Sequence, residues 1–241
     1  ESLPSDGVGV LDGDDELQRS YKLKNNCKII WIGIQNKDVD VFASNIKSSN
    51  EGTTFKVTFK GDKKAYEFKT KLLGYANIYN ILASLALAKE FGLTVNQMQK
   101  VVLGVKSVEH RLELRNTGLI TYIDDAYNSN PVGSKIALEV LKEMSGKRIV
   151  MTPGMVELGS KDYELNKAFG TYMKGCCDEV ILVGKNKTKP IMDGLLETKF
   201  PKDKVYVVAS TNEGFNLIKK LSDGKKSSVL IENDLPDSYN E

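Results

Sequence analysis

Cysteine, histidine and proline are all scarce in this chain of 241 residues, which holds three, one and six of them. Cys27, Cys176 and Cys177 make no disulfide framework, since no C-x-x-C occurs and adjacent cysteines rarely bridge. His110 stands alone, which excludes a multi-histidine metal centre. No apolar run approaches the ~20 residues of a membrane span, and no signal peptide is visible. Neither sign of charge is in surplus, with 34 Lys and Arg against 32 Asp and Glu. That balance excludes a broad nucleic-acid or membrane surface, although a small phosphorylated ligand needs only a few local donors. The expectation is a cytoplasmic protein with small-molecule partners, no nucleic acid and no membrane span. The oligomeric state stays open.

Several catalytic motifs are also missing. No G-x-x-x-x-G-K-[ST] occurs, and Gly224-Lys225-Lys226-Ser227 lacks both the spacing and the upstream glycine. Gly7-Val8-Gly9 has no third glycine for a dinucleotide fingerprint. There is no G-x-S-x-G and no Cys/His pairing to support a nucleophile. Nothing in these residues cradles a triphosphate by itself.

What is present centres on Asp124-Asp125-Ala126-Tyr127-Asn128-Ser129-Asn130-Pro131, directly after the apolar run Leu119–Ile123. A buried strand ends on two carboxylates, and a helix then starts with Asn130 as its cap and Pro131 at the first helical position. In open α/β sheets, ligands bind beyond the carboxyl ends of strands, which makes this loop a candidate site.

The rest of the chain has two grammars. Strands are expected at Val8–Leu11, Lys28–Ile34, Thr54–Lys60 and Ala65–Thr70, the last two forming a hairpin about Gly61-Asp62. A helix is expected over Asn77–Phe91, with Gly92 closing it and Thr94 capping the next. From 119 onward apolar runs at 119–123, 148–152, 179–183, 205–208 and 228–231 alternate with amphipathic stretches at 132–144, 161–176, 188–197 and 212–221. That alternation predicts a doubly wound, mainly parallel sheet. The junction between the two regions falls near Gly104–Val108.

In such a sheet the loops Asp124–Pro131, Pro153–Ser160, Gly184–Lys189 and Glu232–Asp237 share one edge. Polar turns commonly end strands, but four of them on one edge favour a site. Alternation lets only one of Asp124 and Asp125 face a ligand there, where a carboxylate suits ribose hydroxyls or a metal ion. Arg111, within His110-Arg111-Leu112-Glu113, offers a fork for phosphate, against the commoner outcome of an Arg–Glu surface pair. Asn77 and Asn80 open a helix whose N-terminus favours polar ligand groups, although Asn77 is also a natural cap.

Gly74-Tyr75-Ala76-Asn77-Ile78-Tyr79-Asn80, His110–Glu113, Asp124–Pro131 and Gly154-Met155-Val156-Glu157-Leu158-Gly159 together resemble the Mur ligase family, in its order and approximate spacing. Each motif is weak alone, and four in order are specific. The last two point to the branch that adds D-Ala-D-Ala to a UDP-linked muropeptide. The resemblance implies a C-terminal fragment: 1–107 as the end of the central α/β ATPase domain and 108–241 as the Rossmann-like C-terminal domain. The phosphate-binding loop, the family's carbamoylated lysine and most Mg²⁺ ligands would lie upstream of Glu1. The implied reaction is an ATP-dependent amide ligation through an acyl-phosphate in peptidoglycan precursor synthesis, with ATP and Mg²⁺ as cofactors. Its amine substrate is an amino acid or dipeptide.

By the same resemblance, Asn77 and Asn80 lie near adenine, Arg111 near phosphates or ribose, and Asp125 at the ribose hydroxyls, with Asn128 beside them. Asn130, Glu157, Asn233 and Asp234 are candidates for substrate contact. No complete catalytic set is expected in this chain, which alone should be inactive. Two departures stand out. A family histidine after Glu-Leu-Gly is replaced at or near Asn166, and a basic Lys-Gly-Ser-Arg cluster is replaced by Glu232-Asn233-Asp234-Leu235-Pro236-Asp237. An acidic stretch there should repel a peptide carboxylate, which leaves a different amine acceptor, or a non-catalytic nucleotide-binding module, as alternatives.

Overall fold

The first unit holds a sheet of five strands in the order β1-β2-β3-β4-β5, spanning Val8–Asp12, Lys28–Gly33, Val41–Ser49, Gly52–Phe59 and Tyr66–Thr70. The computed structural model describes residues 3–22, 24 and 26–233. Contacts divide the chain into 1–47 with 52–106, and 48–51 with 107–241. β1 and β2 pair in parallel, and β4 and β5 form the antiparallel hairpin with Thr53 opposite Thr70. Alternation buries Phe55, Val57 and Phe68 against Ile78, Leu82 and Leu85 of α2 (Tyr75–Glu90). α3 (Val95–Gly104) adds Met98 and Val102, and its start is a full capping box between Thr94 and Gln97.

Three features of this unit differ from the sequence expectation. α1 (Glu16–Ser20) and β3 had no distinct signal, because β3 runs into Asn45, Lys47 and Ser48 and loses its apolar alternation. Asn77 is not the cap of α2. Gly74 takes that place at φ 80°, without a side-chain bond, and Asn77 instead sits in the first turn with its amide donating to the Leu73 carbonyl at 2.7 Å. The same turn anchors Tyr79, whose hydroxyl donates to Asp14 at 2.6 Å. Burial pushes the Asp14 carboxyl up, but Tyr79 and the backbone N–H groups of Ile34, Gln35 and Asn36 outweigh it and hold it below the usual range.

The second unit is a sheet of six strands in the order β10-β9-β8-β11-β7-β6. They span Glu113–Thr117 (β6), Ile120–Asp125 (β7), Lys147–Thr152 (β8), Glu179–Val183 (β9), Val205–Val208 (β10) and Ser227–Glu232 (β11). All neighbours pair in parallel except β6 with β7. The edge strand β6 escaped the sequence reading because Glu113, Arg115, Asn116 and Thr117 leave it one apolar residue, as suits a blunted edge. Helices α4 (Pro131–Glu143), α5 (Asp162–Tyr172), α6 (Lys189–Glu197) and α7 (Thr211–Ser222) are the connections. α5 ends before the expected 176, ahead of Gly175 at φ 81°.

The chain moves outward from β8 to β10, then returns inward to β11. Right-handed crossovers in opposite directions must pass on opposite faces, so α7 covers the face away from α4. Met151, Ile181 and Ile231 meet Ile218 on the α7 side. Val150, Leu182 and Leu230 alternate with them and are fully buried on the other face. α5 and α6 approach closely where Gly170 and Gly194 face each other's backbone.

Candidate functional site

The loops after β7 and β8 and the end of β11 meet at the carboxyl edge of the second sheet. β7 and β11 run in register, Ile231 beside Asp124 and Glu232 beside Asp125. Because side chains alternate, the two aspartates leave on opposite faces. Asp124 turns to the α7 face, where His110 Nδ1 lies 3.0 Å and Arg115 Nη2 3.2 Å from it. These groups rim a cavity of about 300 Å³ whose walls include Tyr122, Met151 and Phe215. Tyr122 and Phe215 meet edge to face at 6.2 Å.

Asp125 turns to the other face and accepts the Leu112 N–H at 3.0 Å. Burial pushes its carboxyl up to about 6, against the pull of that N–H and of the Arg111 charge. Arg111 sits between His110 (φ 58°) and Leu112 (φ 47°), two non-glycine residues in the left-handed region. Such strained turns are held only when their surroundings fix them, and here the turn lifts Arg111 to the surface. Its guanidinium lies 4.4 Å from the centre of the Tyr127 ring. Glu113 does not pair with Arg111. Its partner is Arg115, at 2.8 Å.

The other predicted residues separate into anchors and exposed groups. Asn130 Oδ1 accepts the N–H groups of Val132 and Gly133 as the cap of α4, which leaves only its amide N–H groups for a ligand. Asn233 is buried, with its amide donating to the Gly154 carbonyl at 2.7 Å and its backbone N–H to the Asp125 carbonyl at 3.2 Å. It ties the loops after β7 and β8 to the end of β11. Asn128 is exposed, as is Glu157, which has a φ of 62°. Asn77 and Asn80 belong to the first unit, and Asp234 lies outside the described residues.

Three residues in this region drew no functional reading from sequence. Tyr127 carries Arg111. Ser129 donates to Glu232 at 2.6 Å, both of them buried. Asn166, the expected histidine position, is itself buried and bonds Met155 through both its amide groups, at 2.9 and 3.0 Å. The amide thus pins the Gly154–Gly159 turn. Among the described residues no group of three or more His, Cys, Asp or Glu stands close enough to hold a metal ion. No helix among the described residues is long and apolar enough to cross a membrane.

Comparison with known proteins finds a match within each unit. Residues 1–88 match the Mur ligase middle domain, and residues 110–231 match the Mur ligase glutamate ligase domain. The UDP-N-acetylmuramoyl-tripeptide–D-alanyl-D-alanine ligase of Bacillus subtilis is 31% identical over 208 residues, covering 84% of this chain and 43% of that protein. Its Escherichia coli counterpart is 29% identical over 188 residues, covering 76% and 41%. The MurF ligase of Thermotoga maritima, solved with ADP, superimposes with a TM-score of 0.74 at 19% identity over 95% of this chain and 50% of that one. The chain thus spans between two fifths and one half of the length of these relatives. With both domain matches in chain order and the shared fold, the chain belongs to the Mur ligase family.

Proposed function

We propose that this chain is part of an ATP-dependent amide ligase of peptidoglycan precursor synthesis, of the MurF type. Residues 1–107 would belong to its central domain, and 108–241 to its C-terminal domain. The observation that carries this reading is the edge of the second sheet. A half-buried Asp125 carboxylate stands at a strand end, close to an arginine displayed on an aromatic ring. A carboxylate there suits ribose hydroxyls, and a guanidinium suits phosphate oxygens. Asn128 lies exposed on the same loop. A nucleotide role for Asn77 and Asn80 rests on the family resemblance.

In the reaction, the γ-phosphoryl group passes to a carboxylate of a UDP-linked muropeptide, releasing ADP. The amine of an amino acid or dipeptide then attacks the acyl carbon, and phosphate leaves. Mg²⁺ would neutralise phosphate charge, held mostly by residues outside this chain. The chain would act in the cytoplasm, where its nucleotide substrates are. Alone it should not hydrolyse ATP. A second reading keeps the ligase but changes the acceptor, because the acidic stretch Glu232-Asn233-Asp234-Leu235-Pro236-Asp237 stands where the dipeptide-adding branch usually carries Lys-Gly-Ser-Arg.

ADP titration followed by backbone amide resonances tests the site. Residues 110–112 and 125–130 should shift, and Arg111→Ala should weaken ADP about tenfold, the scale of one lost charge-assisted contact. Shifts confined to other loops, or an unchanged Kd in Arg111→Ala, refute the assignment. Dipeptide ligation by the full-length protein separates the two acceptors: robust D-Ala-D-Ala addition removes the second reading.

A further inference from the structure

Glu232, the last residue of β11, is 1% exposed and stands beside Asp125 on the neighbouring parallel strand. Side chains paired in this way leave the sheet on one face, about 5 Å apart. Oε1 of Glu232 accepts the Ser129 hydroxyl at 2.6 Å, whereas Oε2 is buried with no hydrogen-bond partner among the described residues. An ionised carboxylate so placed would hold an unsolvated charge against a second acid, and burial without pairing is heavily penalised.

Among the described residues no cation compensates Glu232 itself. α4, packed on β11, brings Ser134, Ala137, Leu138 and Leu141 as buried residues, none of them charged. On β8, buried Thr152 spends its hydroxyl oxygen on the Gly154 N–H. Asp125 meets the Leu112 N–H through Oδ1 and feels the charge of Arg111. One oxygen without a donor and one neighbouring acceptor are what a single proton would satisfy.

We propose that Glu232 is a positioning residue that latches the 125–130 loop to the end of β11, one oxygen accepting from Ser129 and the other, protonated, donating to the Asp125 carboxylate. Burial and then the Asp125 charge push Glu232 up to about 8, while burial lifts Asp125 to about 6, so the pair shares one proton at neutral pH. Above that range both acids ionise, and their repulsion releases the loop that carries Tyr127, Asn128 and Ser129. The consequence for nucleotide affinity rests on the ribose reading of Asp125. The latch itself does not.

Carbon-13 carboxyl NMR of the whole chain, with Glu232→Gln to assign the resonance, tests the latch directly. Glu232 should be protonated at pH 6.5 and titrate with a midpoint above 7. A midpoint in the ordinary carboxylate range overturns the proposal. Amide exchange at 126–129, corrected for intrinsic rates, should quicken about tenfold from pH 7 to 9 in the wild type, one pKa unit's worth. It should stay level in Glu232→Gln, whose amide keeps both the acceptor and the donor. Glu232→Ala should exchange fast at every pH, and equal behaviour of the two variants also overturns the latch. ADP affinity should follow the same pattern. If no variant and no wild-type chain binds ADP, the nucleotide reading falls, and the carboxyl titration still decides the latch.

Discussion

A single methyl group at Gly194 should loosen the second unit. α5 and α6 touch where glycines leave room. A Cβ on Gly194 would overlap the Lys167 carbonyl oxygen and stand 3.0 Å from the Thr171 nitrogen. Ordinary contacts need about 3.5–4 Å, so α6 must move out by roughly half an ångström or more. Its neighbours Ile191 and Leu195 are fully buried, and the movement would open the packing around them. Overpacking of this kind costs about 1–3 kcal/mol. Replacing glycine by alanine within a helix returns up to about 1 kcal/mol. The overlap is with backbone, which no side-chain rotation relieves, so the overpacking cost lies at the upper end of its range, about 2–3 kcal/mol. The net loss is then about 1–2 kcal/mol, a fall in Tm of about 2–8 °C for a chain of this size. Gly104→Ala is the matching control, at the end of α3 with no atom within 4 Å of its Cβ. It should be neutral or slightly stabilising. Urea unfolding followed by far-UV circular dichroism reads both variants, with an unchanged m-value expected. If Gly194→Ala proves as stable as the wild type, helix propensity has won and the α5–α6 contact is not as close as described.

Two further predictions concern stability. Asp125 and Glu232 are acids lifted to about 6 and about 8, so the folded state holds protons that the unfolded chain releases. Their contribution is therefore present below the ordinary carboxylate range and lost as pH rises through those values, by at most ~1.4 kcal/mol per pH unit for each proton. Urea midpoints of the second unit should fall between pH 5 and 9, and a midpoint that rises there contradicts the assignment. In the first unit, Thr94→Ala removes the capping box of α3 and should cost ~0.5–2 kcal/mol. Thr94→Ser should recover most of that loss in the same assay.

The periodic parts of the fold were legible. Apolar runs such as Val180–Val183 and Val229–Ile231 announce buried parallel strands, and Asn130-Pro131 announces the start of α4. β6 was not legible, because an edge strand with one covered face has little need of apolar residues. Asn77 misled as a cap because asparagine is favoured both at caps and in first turns that bond back to the preceding loop, and only the left-handed Gly74 decides between them. At the candidate site the sequence supplied Arg111 and Asp125 but not what holds them. Tyr127, Ser129 and Asn166 act through contacts with residues up to about a hundred positions away, and no local pattern encodes such pairings. The buried state of Glu232 was hidden for the same reason, since an acidic residue after a strand reads as solvated until its neighbours are known.

The order of the second sheet also bears on how the chain is made. β7 and β8 are consecutive in sequence but never pair with each other, because β11 lies between them and bonds to both. A chain emerging from the ribosome can form β8, β9 and β10 with their helices, yet the β6–β7 pair stays detached until residues 227–232 arrive. Contacts of such long sequence separation make for slow closure and leave strand edges open meanwhile. The second unit should therefore complete its fold only after its last strand has been synthesised, with the β7 and β8 edges exposed to chaperones or to misassembly until then.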